Sequence, residues 1–117
     1  MRVITNQMLV DAIEKAYKEE TLGALYYDSC NYIYPDNVSR CAIGAVLTSE
    51  EIEDVIGRDW NGESVTILNR AIVEFEDIEI AEMLQDSHDS WAESRNNAKD
   101  RQMFLDAVEG VKEEMLR

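Results

Sequence analysis

The chain has 117 residues, of which 45% are hydrophobic and 31% charged, and its formal charge is −14. The length suits one domain with an ordinary apolar core, and the composition is not that of a disordered chain. Twenty-five acids against eleven Lys plus Arg argue against direct binding of DNA or RNA through the bulk field, and no apolar run approaches the roughly 20 residues of a membrane span.

The first predicted element is a helix over about 6–20. Leu9, Ala12, Ile13, Ala16 and Tyr17 recur at helical spacing, Thr5 or Asn6 can cap it, and Gly23 suits its end. The N-terminal residues lack the continuous apolar stretch of a signal peptide, so export is not expected. Residues 25–43 are rich in Tyr, Ile and Val and are interrupted at Pro35-Asp36-Asn37. They predict a β-hairpin with strands near 30–34 and 38–42, packed on helices and presenting Tyr32 and Tyr34 on one face.

The small apolar run Ala42–Leu47 predicts a buried helical turn. Thr48 with Glu51 makes a capping box for a short helix to about Ile56, ended by Gly57. Asn61-Gly62 is a turn signal, and Ser64 then caps a helix of about 65–75. Asp77 starts a helix of about 77–93, and a last helix covers about 98–116 with Phe104, Ala107, Val108, Val111 and Met115 on its apolar face. The predicted fold is α+β, mainly α: four or five helices around one core with a small hairpin, in a single domain.

The charge is uneven. Residues 41–94 carry fourteen acids and two bases, whereas residues 95–117 carry five of each. Between Arg70 and Arg95 there are eight acids and no base. On a helix at about 100° per residue, Ile80, Leu84, His88 and Trp91 fall within about 80° of one another. Glu79, Glu82, Asp86, Asp89 and Glu93 fill another sector of about 80° on the opposite side. The carboxylates therefore form a stripe roughly 21 Å long, predicted to face solvent.

Reactive chemistry has a weaker footing. Cys41 precedes a predicted helix start, which lowers a thiol pKa, and His88 is the one imidazole. Adjacent helical residues point about 100° apart, so Asp89 is not expected to orient His88 as the third member of a triad does. The plainer reading is a small buried thiol and a structural histidine. Cys30 and Cys41 could meet across the hairpin, but a reduced pair is expected. Two Cys and one His fall one ligand short of a tetrahedral zinc site, so no metal and no cofactor is expected. Trp60, in a turn, is either a contact residue or a lid over the core.

Two segments carry a resemblance. Cys41, Ala42, Ile43 and Gly44, within residues 30–48, and Leu84, Gln85, His88 and Asp89, within residues 83–91, resemble a group of small phage and bacterial proteins. These share a Cys-Ala-Ile/Val-Gly box followed by Leu-Gln-x-x-His-Asp. The resemblance implies an α-rich fold and a phage or mobile-element setting, and it carries no activity. The group's hairpin usually turns through Gly, whereas this chain has Asp36-Asn37-Val38-Ser39.

Three functions compete. The first is an acidic non-enzymatic inhibitor that mimics nucleic acid and occupies the basic groove of a host protein in the bacterial cytoplasm: a restriction, CRISPR or nuclease component. B-DNA presents about one charge per 3.4 Å along each strand, and the stripe presents about one per 5 Å. Its partner-binding residues would be Glu50, Glu51, Glu53, Asp54, Glu74, Glu76, Glu79, Glu82, Asp86, Asp89, Glu93 and Trp60. The second is a thiol-dependent enzyme using Cys41 and His88. The third is an accessory or scaffold domain whose acidity confers only solubility. The first is the favoured expectation, and the oligomeric state is left open.

Overall fold

Residues 1–117 are described by a computed structural model, and the architecture is α+β, mainly α. In chain order the elements are β1 (Val3–Ile4), α1 (Asn6–Lys18), α2 (Ser49–Gly57), α3 (Val65–Leu68), β2 (Glu74–Phe75), α4 (Ile78–Glu93) and α5 (Ala98–Met115). Short 3-10 turns at Gly23–Leu25 and Gly44–Val46 lie between α1 and α2.

The helix starts follow their capping residues. Thr5 Oγ1 accepts from Met8 N at 3.1 Å. Thr48 and Glu51 form the reciprocal box, at 3.2 Å to Glu51 N and 2.8 Å from Thr48 N. Asp77 Oδ1 accepts from Glu79 N and Ile80 N, and Asn97 Oδ1 accepts from Lys99 N. Each cap satisfies donors that the first helical turn leaves open, and contributes about 1 kcal/mol.

Three expectations are corrected. The hairpin is absent: the only strands are β1 and β2, a parallel pair with Val3 opposite Glu74 and Ile4 opposite Phe75. Only two backbone bonds join the predicted strands, Tyr34 N to Ser39 O at 3.0 Å and Cys41 N to Asn31 O at 3.2 Å, and no ladder forms; residues 32 and 33 bond to a side chain. Asn61 Oδ1 accepts from Tyr32 N at 2.8 Å and Ile33 N at 3.2 Å, and Asn61 Nδ2 donates to Ile33 O at 3.0 Å. The other predicted strand turns to the end of α1, where Arg40 N donates to Thr21 O and Gly23 N donates to Arg40 O, both at 2.9 Å. Between them Asp36 holds the turn. Its carboxylate accepts from Val38 N, Ser39 N and Ser39 Oγ, which keeps it below the usual carboxylate range.

The second correction is the helix of 65–75, which stops at Leu68. Arg70 adopts a left-handed φ of 68°, and Asn69 Oδ1 accepts from Phe75 N at 3.0 Å, turning the chain into β2. The third is Gly23. It does not terminate α1, whose chain reversal uses Glu20 at φ 58°. Gly23 instead makes room for the Tyr34 ring, with which any Cβ there would collide.

One cluster of 28 buried residues forms the core. Trp91 and Phe104 stack at 5.5 Å between centroids where α4 lies on α5, and the His88 ring meets both edge-on at 5.9 Å. This packing fixes the roll of α4. Ala81, Leu84, Gln85, His88, Trp91 and Ala92 are buried, and Glu79, Asp86 and Glu93 are exposed. No helix is long and apolar enough to cross a membrane.

Candidate functional site

The two resemblance segments meet inside the protein. Gly44 packs against the Tyr32 backbone so closely that a Cβ there would collide with the Tyr32 carbonyl. This approach brings the 41–44 turn onto α4, where Gln85 Oε1 accepts from Ile43 N at 3.0 Å. Gln85 Nε2 donates to Asp89 Oδ1 at 2.8 Å, and the same oxygen lies 3.3 Å from His88 Nδ1. Ala24 N donates to His88 Nε2 at 3.3 Å. Nε2 therefore bears no proton, and Nδ1 is the donor toward Asp89. One chain of hydrogen bonds thus runs from the Gly44 turn through α4 to the Gly23 turn.

Asp89 departs from the expected geometry. A 100° step separates its Cα–Cβ direction from that of His88, yet the carboxylate folds back along the helix to reach the ring. Gln85, one turn earlier, anchors it there. Asp89 is consequently half-buried, and its side chain is engaged in the interior.

A cleft of about 240 Å³ opens beside this chain, lined by Cys30, Tyr32, Cys41, Glu63, Glu82, Gln85, Asp86 and Asp89 among others. Both thiols are free. Burial pushes Cys41 up to about 12, outweighing the lowering by the Gly44 N–H that bonds its sulfur at 3.3 Å. Burial also pushes Cys30 up to about 12, assisted by Asp89 and Glu93. A thiol nucleophile needs the opposite environment. Both nitrogens of His88 are committed to Ala24 and Asp89, and the ring is fully buried. The arrangement therefore supplies neither a thiolate nor a free base. No three His, Cys, Asp or Glu side chains are grouped to hold a metal ion.

The acids expected to face a partner divide into two sets. Some are engaged in folding. Glu51 pairs with Arg2 at 2.6 Å, Asp54 with Arg58 at 2.8 Å, and Glu76 accepts from Asn6 N at the start of α1 at 2.7 Å. Burial raises Glu51, but Arg2 and the Thr48 N–H together outweigh it and hold the carboxyl below its ordinary value. Others stand free. Glu50, Glu53, Glu74, Glu79, Asp86 and Glu93 are exposed, Glu82 is half-buried, and none has an ion-pair partner. Trp60 is half-buried against the core with the Arg58 guanidinium 4.9 Å from its ring, in the position of a lid.

Residue patterning alone missed Glu63 and Cys30 as neighbours of α4, and it missed Gln85 as the link between segments. A signal for Gln85 existed: a polar amide on the buried side of an amphipathic helix requires partners. Compared with protein-family models, curated proteins and solved structures, the chain matches none.

Proposed function

We propose that this protein is a non-enzymatic acidic inhibitor that docks its α4 face on the basic, nucleic-acid-binding surface of a host protein. One observation carries the reading. Glu79, Glu82, Asp86 and Glu93 lie along one helix without a single ion-pair partner, while Arg2, Arg58, Lys112 and Arg117 form their pairs elsewhere. A carboxylate row left uncompensated steers basic partners and repels polyanions. The resemblance to phage and bacterial proteins makes a host restriction, CRISPR or nuclease component the class of target. The buried, protonated Cys41 and the committed His88 favour this reading over a thiol-dependent enzyme.

The test is a pull-down from bacterial lysate at about 50 mM and about 500 mM salt, conditions that differ strongly in screening. A triple variant Glu79→Lys, Glu82→Lys, Asp86→Lys runs in parallel. A nucleic-acid-binding protein should be captured at low salt, lost at high salt, displaced by duplex DNA and absent with the variant. Equal capture by the variant, or indifference to DNA, overturns the reading and leaves acidity as a solubility device.

A further inference from the structure

The acidic face of α4 is bordered by a polar groove that carries two methionines. Met83 on α4 and Met103 on α5 line a groove of about 370 Å³ together with Glu79, Glu82, Asp86, Ser87, Ser90 and Asp100. Both methionines are open to solvent, at 38% and 58% exposure, and both stand outside the core. Their placement follows from helical geometry. Glu79, Met83, Ser87 and Ser90 recur at spacings of three and four, so they share the flank of α4 that faces α5. The serines are small and leave the groove open. Nothing in the core requires a methionine at either position, since Trp91, Phe104 and Leu84 already fill the α4–α5 contact.

Exposed methionines on the walls of a groove form an adaptable apolar surface, because the unbranched thioether repacks around different side chains. Carboxylates on its edges select the charge of what enters. We infer that the Met83–Met103 groove takes an amphipathic, basic helical segment of the partner protein, seating its apolar side chains between the methionines and its Lys or Arg side chains on Glu79, Glu82, Asp86 and Asp100. The inference rests on the acidic-docking reading and adds an apolar anchor to it. Charge complementarity names the occupant. A second copy of this chain would bring carboxylates against carboxylates, and an anionic lipid surface or nucleic acid would be repelled. A helix laid in a groove presents apolar anchors at spacings of three, four and seven along one side, and a methionine on each wall gives that side apolar contact.

The experiment uses the full chain with ¹³C-methyl-labelled methionine and two synthetic peptides of equal length and equal positive charge. One is an amphipathic helix of Leu and Lys. The other replaces every Leu by Ser. The Leu/Lys peptide should bind about tenfold tighter or more, as expected for burying one or two apolar side chains. The methyl signals of Met83 and Met103 should shift, while those of Met1, Met8 and Met115 stay in place. A Met83→Ser, Met103→Ser variant, checked by circular dichroism for an intact fold, should lose that advantage and still bind the Ser/Lys peptide as the parent does. Equal affinity for the two peptides, or an unchanged preference in the variant, overturns the apolar anchor and leaves the acidic-docking reading standing. Binding of neither peptide removes both.

Discussion

The two sides of α4 carry similar residue types for opposite ends. On the inner side Gln85, His88 and Asp89 are linked to partners: Ile43 N donates to Gln85 Oε1, Gln85 Nε2 and His88 Nδ1 donate to Asp89 Oδ1, and Ala24 N donates to His88 Nε2. On the outer side Glu79, Asp86 and Glu93 have no ion-pair partner at all. Burial makes the difference. A polar group removed from water must be partnered or it costs 1–3 kcal/mol or more, whereas a solvated carboxylate has water and needs nothing. The inner side therefore specifies the fold. The outer side is free to be read by another molecule.

The Arg2–Glu51 pair lies between these extremes. It joins the first strand to α2 with both Arg2 Nε and Nη2 on the carboxylate, and it is partly exposed. Its neighbours Glu50 and Glu53 on the same helix stand free. Acids close in sequence thus have different duties, set by whether a base is brought to them.

Three measurements sharpen this contrast. The largest effect is expected inside. His88→Ala removes a fully buried ring packed edge-on against both Trp91 and Phe104 and strands the Ala24 N–H. The cavity and the unpartnered donor together should cost about 3–4 kcal/mol in urea unfolding. A loss under about 1 kcal/mol would mean that the hydrogen-bond chain through α4 does little for stability.

The intermediate effect is pH-dependent. Arg2→Ala should cost about 1 kcal/mol at neutral pH, a modest figure because the pair is partly solvated. Glu51 is held below its ordinary value of 4.5 in the folded protein. Its contribution is complete above that ordinary value and is lost as the pH falls through the lowered folded value. The gap between Arg2→Ala and the parent should therefore be constant from neutral pH down to about 5 and shrink below about 4. A gap that widens in acid reverses the assignment.

The smallest effect is expected outside. Glu79→Gln, Asp86→Gln and Glu93→Gln should each change stability by less than about 0.5 kcal/mol, and the triple variant should be neutral or slightly more stable at low salt as self-repulsion falls. A marked destabilisation of the triple variant would show that these carboxylates hold the fold together and are not a free surface.

The helices with strong punctuation were legible from the residues. Thr5, Thr48 and Asp77 each start a helix because a short acceptor side chain meets the open N–H groups of the first turn, a contact within four residues. The apolar and acidic sides of α4 were legible for a similar reason, since helical periodicity is local. The Tyr-rich segment was not. Its β-like composition predicts a paired strand, but a remote side chain, Asn61, takes the Tyr32 and Ile33 backbone bonds and leaves two isolated bonds, Tyr34 N to Ser39 O and Cys41 N to Asn31 O, where a ladder was expected. The helix beyond Leu68 failed for the same kind of reason, because Asn69 and Arg70 redirect the chain to pair with a strand at the N-terminus.

The candidate site divides along the same line. That this chain carries a strongly negative middle and an amphipathic α4 follows from residue order alone, because charge and helical phase need no knowledge of distant neighbours. Which acids are neutralised, how Asp89 turns inward, that the Cys41 thiol is buried and its pKa raised, and that Met83 and Met103 face one another across a groove are decisions of tertiary packing. Several depend on groups tens of residues apart being brought within a few ångströms, as with Arg2 and Glu51, and all depend on burial and pairing that residue order does not state.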